Sequence, residues 1–295
     1  MNTAITRRSA LRALAGGTAT AGIAASLGSR LSAADSVPEL KGRINHSVCK
    51  SCYPKASLDD LCKAAKAIGI TSIDLMSPTR WPTLKKYGLT CAMAKVHEPN
   101  LPGAWLQPAD HDVLVERFHG VIPQVAHAGM PNLICLSGLS RGMDKQQGLE
   151  NCATGLKRIM ASAEKHKVTI CLELLNSKVN HKDYMADSTA WGVELVKRVG
   201  SERFKLLYDI YHMQIMEGNV IATIKAHHQH FAHYHVAGVP GRHEPDETQE
   251  LNYPAIMRTI VATGYKGYIA YEYSPARPEP DAVAALRRAV QICDV

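Results

Sequence analysis

Three carboxylates and an imidazole stand at matching places in successive apolar runs of the second half of the chain: Glu173, Asp209, His235 and Glu272. Each lies at or near the end of a short stretch of strand-forming residues, as in Phe204-Lys205-Leu206-Leu207-Tyr208-Asp209. Brought together, three like charges repel by several kcal/mol unless positive charge sits among them. A divalent cation meets that need, and an oxygen-rich set with one imidazole suits Mn²⁺, Mg²⁺ or Co²⁺, with Zn²⁺ also admissible. Taken singly, each residue has an ordinary reading as well. Glu173, between Leu172 and Leu174, pairs with a lysine; Asp209 caps the helix that follows; His235 belongs to a histidine-rich stretch with His227, His228, His230 and His233. Most of that stretch reads as solvated helix and loop surface. The functional reading of the four rests on their recurrence at consecutive strand ends.

The elements that must position them follow a regular rhythm. Strand-like runs at 44–50, 71–77, 89–96, 131–138, 168–175, 204–212, 231–237 and 267–273 alternate with amphipathic stretches at 57–68, 81–87, 112–128, 147–166, 188–199, 219–228, 253–263 and 281–292. Strict alternation predicts an α/β chain folded as a single-domain (β/α)8 TIM barrel over 35–295, with chemistry at the carboxyl ends of the strands. No Gly-x-Gly-x-x-Gly follows the first strand, so a dinucleotide fold has no support. The Pro/Gly-rich loop after the third strand carries His97 and leads to Trp105; closing the site and a structural role are both open for this pair.

Residues 1–34 read as an export signal and stand apart from the fold. Thr6-Arg7-Arg8-Ser9-Ala10-Leu11 resembles a twin-arginine motif, a weakly apolar Ala/Gly/Leu stretch follows, and Ser32-Ala33-Ala34 offers a small-residue cleavage site. A disordered cytosolic extension is the alternative. With that segment removed, the formal charge falls from +7 to +3, because Arg7, Arg8, Arg12 and Arg30 leave with it. Such a weak excess, without a basic run interleaved with aromatics, does not predict nucleic-acid binding. The expected address is periplasmic, reached through the twin-arginine machinery, with no integral membrane span. The eight cysteines lie mostly in apolar runs and read as buried thiols; for Cys49 and Cys52 a redox pair or a local disulfide stays open.

Several motifs carry a family resemblance across essentially the whole mature chain. They are Glu173-x-x-Asn176, Tyr208-Asp209-Ile210-Tyr211-His212-Met213-Gln214, Gly241-Arg242-His243-Glu244-Pro245, Glu250-Leu251-Asn252-Tyr253 and Tyr271-Glu272-Tyr273. The chain resembles the sugar isomerase and epimerase barrels related to xylose isomerase and endonuclease IV, and its second half is similar to hydroxypyruvate isomerases. The resemblance implies an aldose–ketose type isomerase that interconverts hydroxypyruvate and tartronate semialdehyde through an enediolate. Glu173 and Glu272 would serve as base and acid and, with Asp209 and His235, as metal ligands. His212 would hydrogen-bond a substrate oxygen, and Arg242 would grip a carboxylate in bidentate fashion; its ordinary reading is a surface arginine paired with Glu244 or Asp246. The expected ligand is thus a small hydroxy-keto acid or sugar, and a homo-oligomer is left open. Three other functions compete with this one. An epimerase on another small carbohydrate fits His235 about as well. A periplasmic carbohydrate-binding barrel without catalysis is disfavoured because both glutamates are present. Cleavage of abasic DNA needs an Asp-x-His after the seventh strand that this chain lacks.

Overall fold

A computed structural model describes residues 39–96, 105–277 and 281–295. The proposed signal, residues 1–34, and His97 lie outside the described residues. Seven parallel strands form one sheet: β1 (Asn45–Cys49), β2 (Ser72–Asp74), β3 (Asn132–Cys135), β4 (Thr169–Glu173), β5 (Phe204–Asp209), β6 (Phe231–Val236) and β7 (Tyr268–Tyr271), in the order β2-β1-β7-β6-β5-β4-β3. The helices are α1 (Leu58–Ile68), α2 (Trp81–Lys86), α3 (His111–His127), α4 (Lys145–His166), α5 (Thr189–Val199), α6 (Ile210–Met216), α7 (Val220–His227), α8 (Tyr253–Ala262) and α9 (Asp281–Cys293).

The expected third strand, 89–96, is not a regular strand, yet it does a strand's work. Thr90 bridges to Ser72, and Ala94 bridges to both Met76 and Leu133, so the segment joins the two edges of the sheet and closes the barrel. The ladder is interrupted because side chains take over its bonds. Ser72 Oγ accepts from the Ala92 N–H at 2.8 Å, and Asn132 Nδ2 donates to the Ala92 carbonyl at 2.9 Å. The backbone is satisfied without continuous pairing.

The strand expected at 204–212 is also shorter, ending at Asp209, where α6 starts at once. Asp209 causes the change: its Oδ1 accepts the His212 N–H at 3.1 Å, the bond of an N-cap. The ordinary reading of Asp209 as a helix cap is therefore correct, and its other oxygen remains available for the site.

Most buried apolar residues pack between sheet and helices. Inside the barrel the filling is divided. Met93, Cys171 and Leu207 form a small apolar cluster, whereas Ser47, Ser72, Asp74 and His233 form a buried polar one. All eight cysteines are buried and free, so Cys49 and Cys52 form no disulfide; Cys52 Sγ instead accepts from the Tyr273 N–H at 3.2 Å. Among the described residues no helix is long and apolar enough to cross a membrane.

Candidate active site

The carboxyl ends of β4 to β7 bring the four expected residues to one point. Asp209 and His235 face each other across β5 and β6, while Glu173 ends β4 and Glu272 follows β7 directly. His235 Nδ1 lies 3.1 Å from Glu173 Oε1, 3.2 Å from Glu272 Oε2 and 4.0 Å from Asp209 Oδ2. One ligand atom from each residue lies within 4.8 Å of all the others.

Charge balance in this cluster is local. Arg242 Nη2 stands 2.8 Å from Glu272 Oε2 and 3.8 Å from Asp209 Oδ2, and the guanidinium lies 5.3 Å over the Tyr211 ring. Arg242 is therefore not the surface partner of Glu244 or Asp246, since Glu244 is buried and accepts from the Ala276 N–H. It reaches the site through backbone at φ 56°, the left-handed region that side chains other than Asn and Asp rarely adopt.

These contacts set the protonation states. Burial pushes the Asp209 carboxyl up, outweighing the attraction of Arg242 and His235. Burial acts on Glu272 in the same direction, but the hydrogen bond and charge of His235, with Arg242, overcome it and hold this carboxyl at about 2. Burial would lower His235, and its hydrogen bonds to Glu173 and Glu272 win, raising it well above the usual imidazole range.

His212 is fully buried on the first turn of α6, and its orientation follows from its neighbours. Asn176 Oδ1 accepts from the backbone N–H groups of Val179 and Asn180 at 3.0 and 2.8 Å, which fixes the direction of the amide. Asn176 Nδ2 therefore donates to His212 Nδ1, 2.6 Å away. The proton of neutral His212 is then on Nε2, a donor with no protein partner among the described residues, 3.6 Å from Asp209 Oδ2. Burial, aided by Arg242, holds its pKa at about 3, so the ring is neutral near pH 7.

The donor set fits a divalent cation. Three carboxylates and one imidazole converge, and the buried Asp209 Oδ2 has no hydrogen-bond partner among the described residues, as expected of an oxygen suited to a hard ion. Glu173, Glu272 and Arg242 open onto a cavity of about 900 Å³ that Trp105, Phe118, Leu136 and Leu139 also line. Trp105 is buried and its carbonyl lies 2.9 Å from His111 Nε2, so this residue lines the cavity and anchors the start of α3.

Three further residues were not expected here. Asp74 and His233 lie beneath the rim, fully buried and hydrogen-bonded to each other at 2.6 Å, and His181 packs edge-on against His212 at 5.2 Å. His233 is thus interior, which corrects its reading as solvated surface. Strand alternation carries the signal for it, because residues two apart on β6 face the same way and His235 faces inward.

Residues 62–292 match the xylose isomerase-like TIM barrel family. The chain belongs to that family. Relatives within the xylose isomerase-like barrels include the 2-oxo-tetronate isomerase of Haemophilus influenzae, 33% identical over 236 residues, or 74% of this chain and 88% of that protein. A human protein provisionally named hydroxypyruvate isomerase is 34% identical over 116 residues, which span 39% of this chain and 42% of that protein. Among solved structures, an AP endonuclease of family 2 from Brucella melitensis superposes with a TM-score of 0.75 at 23% identity, covering 82% of this chain and 96% of that one.

Proposed function

We propose that the protein is an isomerase of small keto sugar acids, with hydroxypyruvate and 2-oxo-tetronate as the first substrates to consider. The observation that carries this reading is the convergence of Glu173 and Glu272 on His235 Nδ1 at 3.1 and 3.2 Å, in the cavity that Arg242 also enters. Two carboxylates so placed can share one proton-transfer task. One removes the proton from the carbon bearing the hydroxyl to give an enediolate; the other returns a proton to the former carbonyl carbon, while the hydroxyl proton passes to the former carbonyl oxygen, so that carbonyl and hydroxyl exchange places.

Glu173, Asp209, His235 and Glu272 would hold a divalent cation, Mn²⁺ or Mg²⁺ by the chemistry of the donor set, which supplies positive charge near the substrate oxygens. His212 Nε2–H donates to a substrate oxygen, and its neutral state keeps it a donor that does not itself take up the proton. Arg242 binds the substrate carboxylate; its present partner Glu272 Oε2 uses one edge of the guanidinium. A second reading, isomerisation or epimerisation of a larger keto-sugar, is favoured by the cavity, since about 900 Å³ far exceeds what a three-carbon acid fills.

The test is conversion of hydroxypyruvate, 2-oxo-tetronate and a set of neutral ketoses by the purified protein, with and without chelator and added Mn²⁺ or Mg²⁺. Turnover of a keto acid that chelator abolishes and metal restores is the expected result. Turnover of neutral sugars alone would replace the sugar-acid reading, and turnover insensitive to chelator would remove the metal.

A further inference from the structure

The barrel interior holds a buried carboxylate that the mechanism above does not use. Asp74, at the end of β2, has no exposed surface, and burying a carboxylate is costly unless its oxygens are satisfied. Each carboxylate oxygen offers about two acceptor positions. On Oδ1 both are filled, by Ser47 Oγ at 2.6 Å and Ser72 Oγ at 3.2 Å. On Oδ2 one is filled, by His233 Nε2 at 2.6 Å. Among the described residues nothing takes the remaining position. The unfilled side of Oδ2 has a counterpart 3.9 Å away in His235 Nε2, which is buried and has no hydrogen-bond partner among the described residues.

His235 thus stands between two sets of acids. Its Nδ1 faces Glu173, Glu272 and Asp209, and its Nε2 faces Asp74. An imidazole that gives the lone pair of Nδ1 to a cation must carry its proton on Nε2, and a carboxylate behind Nε2 holds the ring in that tautomer and orientation. We propose that Asp74, itself held by Ser47, Ser72 and His233, is a positioning residue that accepts the His235 Nε2–H and presents Nδ1 to the divalent cation.

The inference rests on the metal-dependent reading of the rim, and the experiment separates the two. Mn²⁺ affinity is measured by calorimetry for the wild-type protein and Asp74→Asn, with apo folding followed by circular dichroism. Asp74→Asn keeps the shape and changes the acceptor, and a 10- to 100-fold loss of Mn²⁺ affinity with an unchanged apo melting temperature is expected. Wild-type affinity in a folded Asp74→Asn protein would overturn the positioning role and leave the rim reading intact. A wild-type protein that binds no Mn²⁺ would overturn both. If Asp74→Asn does not fold, Ser47→Ala carries the test, because it removes the 2.6 Å bond that orients the carboxylate. A several-fold loss of affinity is then expected, and unchanged affinity contradicts the proposal.

Discussion

A buried histidine changes stability with pH in the direction set by which of its states burial penalises. His46, on β1, has Nδ1 3.1 Å from the Tyr271 hydroxyl and Nε2 3.8 Å from Asp294 Oδ1. Burial lowers its pKa from 6.5 to about 4, against the nearby charge of Asp294, which acts to raise it. The unfolded chain therefore takes up a proton that the folded chain refuses, and stability is lost as pH falls from about 6.5 towards 4. The contribution at full extent is on the order of 3 kcal/mol. Urea midpoints at pH 7 and pH 4.5 should fall less for His46→Gln than for the wild-type protein; equal falls would contradict the assignment. The rim residues were legible in the sequence because acids and an imidazole recur at the ends of consecutive strands. His212 was found through the Asp-Ile-Tyr-His motif, but its place on a helix and its tautomer depend on Asn176, whose contacts no spacing reveals. Asp74 stands inside a predicted strand as Glu173 and Asp209 do, and the same inspection of strand ends, extended to the second strand, would have found it.

At the scale of elements, the βα rhythm was readable because each strand is short and each helix is punctuated. Ser57 caps α1 through the Asp60 N–H, and Gly69 at φ 93° ends it, both visible as residue types. Two boundaries were not readable, for physical reasons. The closing segment 89–96 keeps its bonds partly through Ser72 and Asn132 side chains, a substitution invisible in a hydrophobic pattern. The end of β5 is set by a cap whose residue type also suits a ligand. Asp209 is a cap whose second oxygen is left for the site, since Oδ1 holds the helix and Oδ2 faces the other rim residues. The double use ties the direction of α6, and with it His212, to the position of the proposed metal ligand.

For the whole molecule, the family barrel supplies a rim on which four adjacent strands deliver one compact charged site, while β1, β2 and β6 supply the polar support beneath it. We further propose that residues 1–34 direct the folded barrel out of the cytoplasm. Replacing Arg7 and Arg8 together by lysine should leave the full-length protein in the cytoplasmic fraction of the cell; unchanged export would refute the twin-arginine reading. The two-carboxylate mechanism proposed for Glu173 and Glu272 is tested by the turnover number of Glu272→Gln beside the wild-type protein on the keto acid it converts, at saturating Mn²⁺. A 10²- to 10⁴-fold loss of turnover in a protein that folds as the wild type does is the predicted result; wild-type turnover would contradict the two-carboxylate mechanism.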